Sequence, residues 1–187
     1  MTQTHKSLIS GAWRFGLLGL MAFGIWVAPF KLGTVWLYSS ICAVFILGSG
    51  LLLFPLFKSG NRVLCCYKIF LPGFLLYAVF WCLGWFGIRG SAGELTGSAL
   101  GLAAFTFVIH RFYFQNSSKS FLVSWSLLFL FHTLGYTLGG MFFYASNGKG
   151  VLASFMEGHN AVGGLLWGLF YGLGFGAGLG AVLAEEE

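Results

Sequence analysis

Aspartate is absent from the 187 residues, and three of the five glutamates are the last three residues. Only Glu94 and Glu157 remain in the body of the chain. Charged residues make up 8% of the sequence, against about a quarter in soluble domains. So little charge cannot solvate the surface of a water-soluble globule, and it leaves few groups for acid–base chemistry. Metal-ligand spacings, an H-E-x-x-H pair and a phosphate-binding loop are also missing. The four cysteines, Cys42, Cys65, Cys66 and Cys82, lie in or beside apolar stretches. Neighbouring Cys65 and Cys66 are badly placed for a mutual disulfide, so the four read as reduced, buried thiols. No catalytic residue, metal site or cofactor is named by any motif.

What the chain has instead is apolar length. Hydrophobic residues make up 58% of it, and the mean hydropathy is +0.86. Six apolar runs stand out, at about 12–30, 34–57, 69–88, 95–112, 121–144 and 161–183. Each is close to the ~20 residues that cross a bilayer core. In hydrocarbon a backbone must satisfy its own hydrogen bonds, so each run is expected to be helical. The basic start and first run resemble a signal peptide, but the only small-x-small triplet, Ala22-Phe23-Gly24, sits inside the run, and an uncleaved helix is expected. The expected fold is an all-α integral membrane protein, a single polytopic domain of six transmembrane helices in a compact bundle.

The last run, AVGGLLWGLFYGLGFGAGLGAVL, has a glycine at every fourth position: Gly164, Gly168, Gly172, Gly176 and Gly180. Small residues at this spacing let a neighbouring backbone approach closely. Gly163, Gly174 and Gly178 fall between them and spread the small surface around the helix. This helix is therefore expected at the centre of the bundle or at a subunit interface. Shorter series, Gly93, Gly97, Gly101 and Gly135, Gly139, mark the fourth and fifth spans as its expected packing partners.

Orientation follows from the basic residues. With a cytoplasmic N-terminus, that side receives Lys6, Arg14, Lys58, Arg62, Lys68, Arg111 and Lys119, and the other only Lys31, Arg89 and Lys149. Positive residues favour the inside, so both termini are expected in the cytoplasm, in a bacterial inner (plasma) membrane. The net charge of +5 is accounted for in this way, and no nucleic-acid partner is implied.

Two groups of polar residues are candidate sites. Arg89, Glu94, Glu157, His159 and Asn160 are expected to gather at the outer ends of the fourth and sixth spans, where Glu94 and Asn160 also suit helix capping. His132 lies near the middle of the fifth span, and a mid-membrane histidine needs a partner. Tyr136 and Tyr171 are the expected ones. Serines Ser91 and Ser98 on span four with His159 at span six form a layout loosely similar to rhomboid proteases, but their G-x-S-G motif is absent. Three functions are compatible with this: an accessory or structural subunit that packs through glycine faces with itself or other membrane subunits, a small channel or transporter for a neutral or small solute, and, last, an intramembrane enzyme.

Overall fold

The computed structural model describes residues 2–28, 33–57, 61–114 and 119–184. Pro29, Phe30, Lys31, Lys58 and the loop Gln115–Ser118, which enter the span and charge arguments above, lie outside the described residues. Six helices are long and apolar enough to cross a membrane: α1 (Gln3–Val27), α2 (Thr34–Leu52), α3 (Arg62–Leu83, continued by a π turn over Gly84–Ile88), α4 (Gly90–Phe112), α5 (Phe121–Ser146) and α7 (Asn160–Leu183). A single turn, α6 (Ala153–Met156), lies between the last two. No strand occurs among the described residues.

Helix starts differ from the hydropathy limits where a polar residue caps. The Thr2 hydroxyl accepts from the His5 amide at 3.4 Å, so α1 begins at Gln3 and the polar lead forms its first turns instead of preceding it. Asn61 Oδ1 accepts from the Leu64 amide at 3.0 Å and starts α3 at Arg62 instead of near Ile69. Pro72 consequently lies inside α3 and not in its first turns. The α3–α4 connection is very short. The Arg89 amide donates to the Gly84 carbonyl at 3.1 Å, after which Arg89 (φ 65°) and Gly90 (φ 61°) turn the chain into α4.

The spans alternate in direction, so the starts of α1, α3 and α5 and the ends of α2, α4 and α7 share one end, the terminal end. The tight α3–α4 turn, α6 and the start of α7 share the other, the hairpin end. At the terminal end two basic side chains occupy helix C-termini: Arg14 donates to the Leu52 carbonyl at 2.8 Å, and Lys119 donates to the carbonyls of Val182 (2.9 Å) and Ala184.

α7 is the most buried span and α2 the least. A methyl group at Gly168, Gly172, Gly176 or Gly180 would strike α1, at Gly19, Phe15–Gly16, Gly11 and Ser7–Leu8 respectively. One at Gly163, Gly174 or Gly178 would strike α5, at Ser146, Phe131–Gly135 and Leu128. Residues two apart on a helix point about 200° apart, so these are two nearly opposite faces. The α4 glycines do not pack on α7. Gly93, Gly97 and Gly101 abut Gly84, Phe80–Trp81 and Tyr77 of α3, which is the partner that the short turn imposes.

Midway along the spans Phe15, Phe45, Phe74, Phe105 and Phe175, from α1, α2, α3, α4 and α7, form one aromatic cluster. Phe15 and Phe175 stack at 4.6 Å, and Phe105 meets Phe175 edge-on at 5.5 Å. Toward the hairpin end the helices enclose space.

Candidate functional site

The interior next to the phenylalanine cluster is polar. His132 is 1% exposed, and its Nε2 shares a 2.9 Å hydrogen bond with the Tyr77 hydroxyl. The Tyr171 and Ser98 side chains lie close by, so polar groups of α3, α4, α5 and α7 meet here. Tyr171 and Tyr136, the partners expected from the sequence, instead flank the His132 ring, edge-on at 5.4 Å and stacked at 5.9 Å. Tyr77 was missed because its span carries no other polar residue at that depth to draw attention to it. Buried hydrogen-bond groups nearly always find partners, and here the imidazole is served on one side only.

Its second nitrogen, Nδ1, has no partner among the described residues, and neither have Thr133 Oγ1 and Trp167 Nε1. All three residues line a cavity of about 420 Å³ between α4 and α5, together with Ser91, Glu94, Ser98 and Tyr136. α4 and α5 are held together nearer the terminal end, where His110 Nε2 meets Ser124 Oγ at 3.1 Å and Trp125 donates to the Ala99 carbonyl at 3.0 Å. The exposed side chains of Leu95, Thr137, Met141 and Tyr144 form the mouth of the cavity.

A second cavity, of about 310 Å³, shares Glu94, Tyr136, Tyr144 and Trp167 with the first. Its wall is drawn from all six spans and is almost wholly aromatic, including Trp26, Trp81, Trp85 and Phe143. Local sequence explains part of this. Trp81 and Trp85 are four residues apart on α3 and its π turn, and their rings stack at 5.6 Å and 8°. Trp167 faces Trp26 at 5.5 Å and Phe143 at 4.9 Å.

Of the residues expected at the outer polar cluster, Glu94 alone lines these cavities. It lies past the first turn of α4, which contains no acidic residue, so it is not a helix cap, and it faces the Tyr136 side chain. Arg89, Glu157, His159 and Asn160 are exposed and line neither cavity, and His159 makes no side-chain capping bond to α7. All four cysteines are free thiols, and no metal-binding group of three ligands occurs among the described residues.

No family model, curated protein or solved structure matches the chain. Its class rests on the fold: an all-helical protein with six helices long and apolar enough to span a membrane.

Proposed function

We propose that the protein is a multi-pass membrane protein that admits a small solute into the paired cavities, as a small channel or transporter does. The observation that carries this reading is the lining of the larger cavity. Of the four residues with a buried polar atom lacking a partner among the described residues, three, His132, Thr133 and Trp167, line it. An orphaned buried polar atom costs about 1–3 kcal/mol, and a ligand or water in the cavity removes that cost. The basic residues Lys6, Arg14, Arg62, Lys68, Arg111 and Lys119 fall at the terminal end, which supports placing it in the cytoplasm and the cavities in the outer half.

The reading as an accessory subunit that packs through its glycines draws less support. The Gly168–Gly180 stripe of α7 already abuts α1, and Gly174 and Gly178 abut α5. In this proposal the glycine series is an internal device that brings α1, α5 and α7 close in the middle of a compact bundle. Reconstitution in proteoliposomes tests the function. Uptake of one solute class that Glu94→Gln and His132→Ala reduce is the expected result. Permeability indistinguishable from protein-free vesicles for every solute class refutes it.

A further inference from the structure

Glu94 is the only acidic residue in any of the six spans. A carboxylate at such a position is normally paired with a cation. Here its neighbours include the tyrosines Tyr136 and Tyr144, and among the described residues no Lys or Arg lines either cavity that it borders; His132 lines the larger one only. Around the smaller cavity Glu94 is joined by indole, phenol and phenyl rings from the other five spans. Rings carry a negative face that attracts ammonium groups, and several rings around one point form the cage that holds quaternary ammonium ligands. The volume, about 310 Å³, lies at the small end of the usual ligand range of about 300–1,000 Å³.

We propose that the aromatic cavity binds an organic ammonium monocation, with Glu94 as its counter-charge and Trp26, Trp81, Trp85 and Trp167 as its cage. This rests on the reading of the cavities as a solute site and specifies the solute, replacing the neutral one expected from composition. Trp167, whose buried indole Nε1 has no partner among the described residues, lines the same cavity.

The test uses the full chain, purified in a detergent free of choline, and follows tryptophan fluorescence during titration with choline, benzyltrimethylammonium and the neutral choline isostere 3,3-dimethylbutan-1-ol. Saturable change with the two cations and none with the isostere is expected. Glu94→Gln, which keeps the side chain's shape, is expected to weaken binding about tenfold or more, and Trp85→Leu several-fold. Glu157→Gln, an exposed carboxylate away from the cavities, is expected to bind normally and reports on non-specific charge effects. If Glu94→Gln elutes as an aggregate, the Trp85→Leu titration and the isostere comparison decide alone. Repeating the titration in phosphatidylcholine and phosphatidylglycerol nanodiscs separates the sources of the cation. Competition by phosphatidylcholine assigns the site to a lipid headgroup, and equal affinity in both assigns it to a free cation.

Equal binding of the isostere, or binding unaffected by both Glu94→Gln and Trp85→Leu, overturns the cation assignment and leaves the solute-site reading standing. No fluorescence change with any of the three probes also overturns it. If flux in proteoliposomes is then absent as well, the broader reading falls with it.

Discussion

Gly172→Ala tests whether close backbone contact between α1 and α7 holds the protein together. A Cβ at this position would sit 2.8 Å from Gly16 Cα and 2.9 Å from the Phe15 carbonyl carbon, and nearer still to the Phe15 oxygen. Carbon atoms rest at about 3.5–4.0 Å, so α1 must retreat by about 1 Å at this point. It cannot do so by hinging, because Gly11 against Gly176 and Gly19 against Gly168 fix it on both sides. Overpacking of this kind costs about 1–3 kcal/mol. The better helix propensity of alanine returns at most about 1 kcal/mol. A net loss of about 1–2 kcal/mol corresponds to a melting point lower by roughly 2–8 °C for a chain of this size. The assay is thermal unfolding in mild detergent, read by tryptophan fluorescence and by loss of the monodisperse elution peak. Gly24→Ala is the matched control, since it lies on α1 with nothing within 4 Å of the added methyl. Gly24→Ala is expected to melt at or above the parent temperature. If Gly172→Ala melts with Gly24→Ala, the two backbones are not in contact and the packing argument is wrong.

Three further outcomes follow from other parts of the structure. Tyr77→Phe leaves both nitrogens of His132 without a partner among the described residues and is expected to cost about 1–3 kcal/mol; an unchanged melting point would mean that water already serves the imidazole. Arg89→Gly removes a side chain from a left-handed backbone position and is expected to stabilise by up to about 1–2 kcal/mol, seen as a higher melting point. Lys119→Met withdraws the cation from the α7 C-terminus, with an expected loss of about 0.3–1 kcal/mol and faster amide exchange in residues 179–184; protection equal to the parent would count against the cap.

Legibility from the sequence was uneven, and particular residues show why. The stripe from Gly164 to Gly180 announces a close approach on one face of α7, yet its partner is α1, whose Gly11, Gly16 and Gly19 follow no four-residue rhythm. The Gly93–Gly101 series was visible, but its partner was set by a two-residue turn at Arg89–Gly90 whose geometry has no strong motif. Glu94 looked like a cap because caps are the commonest use of an acid near a helix start; it lies one turn too far in for that. Tryptophan is enriched at the membrane–water interfaces of membrane proteins. Trp26, Trp81, Trp85 and Trp167 instead line a common cavity.

The sequence by itself determined that six segments must be helices long enough to span a bilayer, because an apolar backbone segment can satisfy its amides only within itself. That requirement is local and is met one segment at a time. Tertiary structure alone decided that α7 lies against α1 and α5, that Tyr77 meets His132, and that Glu94 lines one cavity with four tryptophans. Those outcomes depend on how faces from distant parts of the chain fit one another, and no single segment carries that information.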